Sequence, residues 1–321
     1  MILKSSSYFI NKLTKQREFV LFVVVIGIII LLSVLSPYFF SYFNFLAISE
    51  MDSAKGIVII GTTLLLITGV LDLSIGSGLA LVGVVTGWFF THHYSMPIAI
   101  IFGLLVGAII GLINSFLVVK LQMHSFIATL GMMYMVRSVA LGITSGTPFY
   151  DFPKEFINIS KGEIWGFPKP FIILICIFVI MAFFVDKGRF FKKLFYIGSN
   201  NRAANLVGID SKKFTTLMYV FAGIFVAFAS IILTSKSRAA IPAAYAGIEM
   251  KLIAAAIIGG ASLKGGKGSI LGSILGLIIL LLISNAMTIL NISIYWEGVI
   301  IGTVLVLAAI FDELTRKRVK S

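Results

Sequence analysis

Charged side chains are scarce in this sequence. Only 12% of its 321 residues are Asp, Glu, Lys or Arg, whereas soluble domains contain about 25%. Apolar residues make up 59%, and a soluble globule of that composition could not cover its surface with polar groups. These figures exclude a soluble domain, a disordered chain and a collagen-like repeat, and they predict a membrane protein.

Cysteine and histidine are nearly absent. The single cysteine, Cys176, excludes an intramolecular disulfide and a paired-cysteine metal site. His92 and His93 are adjacent but have no neighbouring carboxylate or thiol, so we expect no metal site. The sequence also lacks the HExxH and Ser-His-Asp patterns of hydrolases. We therefore expect a chain that is not an enzyme, with no catalytic residue and no cofactor of its own.

Long apolar runs are what the sequence has instead. A helix needs about 20 mostly apolar residues to cross the hydrocarbon core of a bilayer. We predict an all-α polytopic membrane protein with about ten transmembrane helices, some of them short or broken. The ten runs are Phe19–Ser36, Gly56–Leu71, Leu73–Phe90, Ile98–Val119, Phe126–Ile143, Phe171–Val185, Phe214–Thr234, Leu252–Leu263, Ser269–Leu290 and Ile294–Phe311.

Basic residues outnumber acidic ones, 26 to 13, and their placement supports these spans. With a cytoplasmic N-terminus, eighteen Lys and Arg residues lie on the cytoplasmic side, seven lie outside, and Arg137 lies within a span. Such a bias orients membrane proteins, so no nucleic-acid partner is needed to explain the charge. We predict one transmembrane domain over 1–321 that crosses the membrane several times. Its cytoplasmic parts are 1–18, 186–213 and the tail 312–321.

A first glycine-rich stretch, Thr68–Gly78, separates two spans. Asp72 could cap a helix that begins at Leu73, at a turn on the membrane surface. Alternatively, Asp72 and Ser74 take part directly in gating, while Gly76 lets a neighbouring helix approach closely. Both interpretations place these residues in a gating or structural role.

A second glycine-rich stretch, Ile258–Gly268, joins two later spans. It contains lysines, but it lacks the GxxxxGK[ST] pattern of a phosphate-binding loop. We therefore expect no nucleotide there, and we assign a gating or structural role to its glycines. They are Gly259, Gly260, Gly265 and Gly266.

The connection Asp186–Lys213 is the most charged part of the chain. Within it, Gly198–Ile209 predicts a short helix that Ser199 or Asn200 caps and Gly208 ends. Two small alanines would let this helix seat in a groove of another protein. The alternative is a solvated basic loop that only fixes the topology.

Polar side chains within the predicted spans are candidates for a substrate pathway or for hydrogen bonds between helices. Arg137 is the costliest to bury, and we expect it to pair with a carboxylate or with backbone carbonyls inside the bundle, as a structural lock. The pathway candidates are Thr62, Thr63, Asn114, Ser115, Asn285 and Thr288.

Three stretches together resemble the ribose-type permease subunits of ATP-binding cassette (ABC) importers. They are Leu71–Ser77 (LDLSIGS), Ala203–Ile209 (AAxxxGI) and Ile253–Gly268 (IAAAIIGGASLxGGKG). The resemblance implies the ABC importer permease fold and a homo- or heterodimer of permeases within membrane lipid. It also implies a cytoplasmic ABC ATPase, which would bind ATP and Mg²⁺, and an extracytoplasmic sugar-binding protein.

The resemblance gives the short helix a role, because the Ala-Ala-x-x-x-Gly loop of this family docks on the ATPase. It assigns coupling to Ala203, Ala204 and Gly208, with Asn201 and Arg202 at the contact. The family usually has an acidic residue where this chain has Asn201.

The implied function is translocation of a monosaccharide such as ribose by alternating access, driven by the separate ATPase. Ribose, another sugar, autoinducer-2 and another polyol stay open as substrates, as do a homodimer and a heterodimer. A stand-alone secondary transporter is the alternative from another class. It would need ionisable groups buried at mid-membrane, and apart from Arg137 the spans hold few.

Overall fold

A computed structural model describes residues 2–303 and residue 306, and helices dominate it. The helices are α1 (Ile2–Leu35), α2 (Tyr42–Thr68), α3 (Ile75–Thr91), α4 (Met96–Ser115), α5 (Ser125–Thr144), α6 (Lys154–Ile157), α7 (Lys169–Lys187), α8 (Arg189–Ser199), α9 (Asn201–Leu206), α10 (Ser211–Ser237), α11 (Ile248–Ile258) and α12 (Ile270–Ile289). A π-helical turn, Phe116–Lys120, extends α4. A two-stranded antiparallel hairpin, β1 (Glu163–Ile164) and β2 (Phe167–Pro168), precedes α7.

The apolar runs predict where the helices occur, but they predict the lengths of the helices less well. By length and composition, α1, α4, α5, α7, α10 and α12 could each cross a bilayer, and α2 could do so with a bend of 42°. α3 has 17 residues and α11 only 11, as the glycine-rich runs lead us to expect. The tenth predicted span starts in a 3₁₀ turn at Ile294–Trp296, and residues 297–303 are helical. The rest of that span and the tail 312–321 lie outside the described residues.

α2 differs most from its prediction, because it begins at Tyr42 rather than Gly56 and ends at Thr68 rather than Leu71. The hydroxyl oxygen of Ser41 caps it by accepting a hydrogen bond from the Asn44 N–H (3.2 Å). Polar residues in its first half interrupt the apolar pattern and hide the helix from a hydropathy reading.

α10 lies at the centre of the bundle, against α2, α3 and α4. Glycines allow its backbone to touch that of α4. A Cβ added to Gly111 would lie 2.8 Å from the Tyr219 carbonyl carbon, and one added to Gly107 would lie 2.6 Å from the Ala227 Cβ. Small residues at a helix crossing permit such close approach in membrane proteins.

Gly223→Ala should destabilise this crossing. The added Cβ would lie 3.0 Å from the Gly107 carbonyl carbon and still closer to its oxygen. Overpacking of this kind costs about 1–3 kcal/mol, so we expect a lower thermal midpoint for the purified protein in detergent. Gly131→Ala on α5 is the matched control, because no atom lies within 4 Å of its Cβ position. Equal midpoints for the two variants would contradict this packing.

The two ends of the bundle differ in charge. The turns at one end, which we call the basic end, carry Lys120 and most of the basic residues of segment 186–213. At the opposite end, which we call the far end, segment 145–168 folds into a cap. Phe156 is fully buried there against Phe90, with ring centroids 4.7 Å apart. A backbone bridge between Phe149 and Ala240 fastens the cap to the end of α10.

The outer helices α1 and α7 expose apolar side chains such as Val34 and Phe183. Cys176 lies on this surface, and it is exposed rather than buried as its apolar run first suggests. Such faces suit contact with lipid, and the helices satisfy their own backbone groups. The architecture is that of a polytopic membrane protein.

Candidate functional site

The chain between α2 and α3 is not helical and lies inside the bundle. Gly69 ends α2 with a φ of +83°, a conformation that glycine adopts without strain. The N–H of Leu73 donates to Thr129 Oγ1 (3.0 Å). The Tyr219 hydroxyl donates to the Leu71 carbonyl (2.9 Å). Buried non-helical backbone requires such partners from neighbouring helices.

Asp72 lies in this break and is 5% exposed. Its Oδ1 accepts hydrogen bonds from the N–H (2.7 Å) and the hydroxyl (2.6 Å) of Ser74. Its Oδ2 accepts one from Nδ2 of Asn114 on α4 (3.2 Å), and the same Nδ2 donates to Ser74 Oγ (2.9 Å). We call these three residues the Asp72 cluster. It ties the break to α4.

The prediction that Asp72 caps a helix beginning at Leu73 is wrong. Residues 69–74 are not helical, and α3 begins at Ile75 with Ser74 as its N-cap. Asp72 therefore precedes the helix and is buried. A cavity of about 10 Å³ beside Asp72 and Ser74 has room for a single water. The Asp72 cluster thus holds the break in place rather than providing a pocket for a larger molecule.

Gly76 brings α3 against the start of α11. A Cβ on Gly76 would lie 2.6 Å from Glu249 Oε2. Glu249 is buried, and its Oε1 accepts a hydrogen bond from the Gly247 N–H (3.1 Å). The sequence analysis overlooked Glu249. The sequence does contain a signal for this residue. Glu249 is an acidic residue beside an apolar run, and burying it carries the same kind of cost that singles out Arg137.

Arg137 holds the irregular segment that precedes α11. Its Nη1 donates to the carbonyls of Pro242 and Ala244, at 2.6 Å each. This confirms the prediction that Arg137 pairs with backbone carbonyls inside the bundle. The contact fixes segment 239–247 against α5 and so positions Glu249.

The glycines of the second stretch occupy two places. Gly259 and Gly260 end α11, where the backbone of Gly259 touches that of α12. Gly265 and Gly266 form a turn at the basic end, with φ values of +81° and +74°. The N–H of Gly266 donates to the carbonyl of Ile67 on α2 (2.9 Å).

The short helix predicted in the charged connection is present as α9. Asn200 caps it by accepting a hydrogen bond from the Ala203 N–H (3.0 Å), and Gly208 follows it with a φ of +82°. Both features confirm the prediction. Asn205 Oδ1 accepts hydrogen bonds from the N–H (3.2 Å) and hydroxyl (2.9 Å) of Ser211, which fastens α9 to α10.

α9 presents a different apolar surface from the expected one. Ala204 is 2% exposed and packs into the core with α8, so it cannot touch a partner directly as we expected. The exposed residues at the start of α9 are Asn201, Arg202 and Ala203. Leu206 and Val207 are 83% and 75% exposed. The sequence analysis overlooked this pair, although two adjacent aliphatic residues are conspicuous in a charged loop.

Most polar residues expected along a pathway make hydrogen bonds within the bundle. Thr62 and Thr63 are buried and donate to carbonyls of the preceding turn (3.2 and 2.7 Å). Ser115 donates to Thr216 Oγ1 (2.7 Å). Asn114 belongs to the Asp72 cluster. In this conformation Ser115 and Asn114 join neighbouring elements, whereas the hydroxyls of Thr62 and Thr63 bond within α2.

The two pathway candidates on α12 lie toward the far end. Nδ2 of Asn285 donates to Oδ1 of Asn44 on α2 (2.7 Å), so this amide also joins two helices. Thr288 is exposed, and its hydroxyl donates to the carbonyl one turn earlier (3.2 Å). It is the candidate that is most accessible from outside this chain among the six.

An ion pair that the sequence analysis did not predict joins α11 to the last described helix. Lys251 Nζ lies 2.7 Å from Glu297 Oε2. Glu297 Oε1 accepts a hydrogen bond from the Ser284 hydroxyl (2.5 Å). Glu297 is thus held by both a cation and a hydroxyl, as a partly buried carboxylate requires.

Comparison with known proteins identifies the family. Residues 44–309 match the family described as branched-chain amino acid transport system / permease component. Over 304 residues, the chain is 33% identical to the ribose import permease protein of Escherichia coli (strain K12), covering 94% of each protein. The chain belongs to this permease family. The match confirms the resemblance to ribose-type permeases and the all-α membrane fold.

Two further relatives of the permease are also named as sugar permeases. It is 31% identical to the ribose import permease protein of Haemophilus influenzae, over 94% of this chain and 93% of that protein. It is 32% identical to the D-allose transport system permease protein of Escherichia coli (strain K12), over 88% and 87%. No solved structure shows a significant match. The permease is therefore similar to sugar permeases along nearly its whole length.

Proposed function

We propose that this permease is the membrane-spanning subunit of an ATP-driven importer that moves a monosaccharide across the bacterial cytoplasmic membrane. Its similarity to ribose and D-allose permeases supports a pentose or hexose as cargo. The cargo class is a small polyhydroxylated molecule, which includes autoinducer-2 and other polyols. ATP and Mg²⁺ are bound by a partner ATPase.

The observation that supports this proposal is the exposed position of α9 at the basic end. α8 buries Phe191, Leu194 and Ile197 in the bundle and so anchors the start of α9. Beyond it, Leu206 and Val207 point away from the core. Exposed aliphatic side chains on a firmly held element are suited to fill a pocket on a partner. We assign this surface to the contact with the ATPase.

In this proposal the basic end faces the cytoplasm, in accord with the positive-inside bias. Both termini and the loop 186–213 are then cytoplasmic, and the far-end cap faces the extracytoplasmic sugar-binding protein. A second copy of the chain or a paralogue completes the membrane unit. ATP binding and hydrolysis bias the bundle between an outward-open and an inward-open arrangement.

Reconstitution in proteoliposomes tests the proposal. The permease is inserted together with a candidate ABC ATPase, a candidate sugar-binding protein is added outside, and uptake of labelled ribose and other sugars is measured with and without ATP. We expect uptake that requires ATP, the ATPase and the binding protein. Uptake driven by an ion gradient without the ATPase would instead identify a secondary transporter.

A further inference from the structure

Three segments of the permease meet at one point of the basic end, and each segment contributes at least one glycine to the contact. The segments are the end of α8, the end of α2 and the turn between α11 and α12. A Cβ added to Gly265 would lie 2.8 Å from both Gly69 Cα and the Gly198 carbonyl oxygen. One added to Gly266 would lie 2.9 Å from Ser199 Cα. The three backbones are therefore in direct contact.

Gly198 is the most informative member of this group. It lies in the last turn of α8, where glycine is not required by a left-handed φ and costs about 0.5–1 kcal/mol relative to alanine. A Cβ there would lie well inside the van der Waals distance of the Ile67 carbonyl oxygen, and 3.1 Å from the Gly265 carbonyl carbon. The close approach of the other two segments is thus the physical reason for glycine at this position.

The three segments connect the two functional regions described above. On one side, Gly198 is two residues from Asn200, the N-cap of α9. On the other side, Gly69 is three residues from Asp72, in the break that the Asp72 cluster holds. The Gly266 N–H bonded to the Ile67 carbonyl (2.9 Å) closes the contact from the α11–α12 turn.

We propose that Gly198, Gly265 and Gly69 form a backbone joint that passes displacement of α9 to the α2–α3 break. This inference rests on the proposed function, in which α9 is the element that the ATPase moves. Side chains between two elements can absorb a shift by changing rotamer, whereas touching backbones move together. The three glycines are positioning residues, because they act on the Asp72 cluster and not on the sugar.

The test measures coupling separately from assembly. Gly198→Ala is reconstituted with the ATPase and binding protein, and ATPase retention, ATP hydrolysis and sugar uptake are recorded. Gly142→Ala is the matched control, since Gly142 also lies in a last helical turn but has no atom within 4 Å of its Cβ position. We expect Gly198→Ala to bind the ATPase and hydrolyse ATP, while sugar moved per ATP falls about fivefold or more, the range of typical coupling energies.

A second pair of variants keeps the test decisive should Gly198→Ala fail to fold. Gly265→Ala adds a Cβ to the joint at a φ of +81°, and Gly146→Ala adds one at a φ of +78° in open space. Both place a Cβ at a left-handed φ, so a lower transport ratio in Gly265→Ala alone supports the joint. An unchanged ratio in the joint variants, or an equal fall in their controls, overturns it. A parallel loss of ATPase binding and uptake also overturns it.

Failure of the proposed function gives a different result. In that case the parent complex itself shows no ATP-dependent uptake. The joint is then tested on the purified permease by hydrogen exchange. Faster exchange of the Gly266 amide in Gly198→Ala than in Gly142→Ala supports the contact between the segments, and equal exchange rejects it.

Discussion

Replacing both Leu206 and Val207 with glutamate should abolish ATP-dependent uptake while leaving the permease folded. Both side chains are more than 70% exposed, so the bundle loses no packing. In the complex they would fill an apolar pocket, and burying an unpaired carboxylate there is unfavourable. Full burial of a Leu or Val side chain contributes about 1.5–3 kcal/mol each, so we expect the affinity for the ATPase to fall about a hundredfold or more. Co-purification of the ATPase and uptake in proteoliposomes measure the effect.

Leu121→Glu with Met123→Glu is the matched control for this pair. Both residues are exposed and apolar, and they lie in the turn between α4 and α5, which is also at the basic end. The control adds the same charge to the same side of the protein. If the Leu206 and Val207 variant retained the ATPase fully, α9 would not be part of the interface.

Asp72→Ala should have the second large effect, on stability and transport together. The change removes the acceptor of the Ser74 N–H and hydroxyl in a buried site, and it removes one of the two hydrogen bonds that Asn114 Nδ2 donates. An orphaned buried polar group costs about 1–3 kcal/mol. We expect a much lower yield of folded permease, a lower thermal midpoint and loss of uptake.

Asp72→Asn separates the shape of this side chain from its charge. The new amide keeps an oxygen for Ser74, but its NH₂ replaces the acceptor of the Asn114 Nδ2, and only a flip of the Asn114 amide would present Oδ1 to it. Hydrogen bonds to a neutral acceptor are weaker than those to a carboxylate, so we expect a folded permease whose uptake falls several-fold. Ser77→Ala is the control, because the buried Ser77 hydroxyl has no partner among the described residues. An Asp72→Ala variant as stable as Ser77→Ala would show that the cluster does not hold the break.

The sequence predicts the helices of this permease because crossing lipid imposes long apolar runs on the chain. It also predicts α9, since the cap Asn200 and the left-handed Gly208 act locally. The position of Asp72 was not predictable in this way. A capping carboxylate and a buried carboxylate look alike in sequence, and only the contact with Asn114 on α4 distinguishes them.

The sequence also did not predict which side chains of α9 are buried and which are exposed. Which residues of α9 turn inward depends on how α8 docks against α2 and α10, so Ala204 became buried and Leu206 exposed. The glycine-rich stretches signal close approach but do not name the neighbour. Only the folded structure shows that Gly265 contacts Gly69 and Gly198.

The shortness of α11 has a consequence for a hydrated solute. Eleven residues extend about 16 Å along a helix, roughly half of the hydrocarbon thickness of about 30 Å. The irregular segment that Arg137 holds supplies the other half, and such backbone has to border protein or water rather than acyl chains. The backbone groups beside α11 therefore find their partners in protein or water and not in hydrocarbon. For the proposed hydroxylated cargo, these groups are candidates to replace part of its hydration shell.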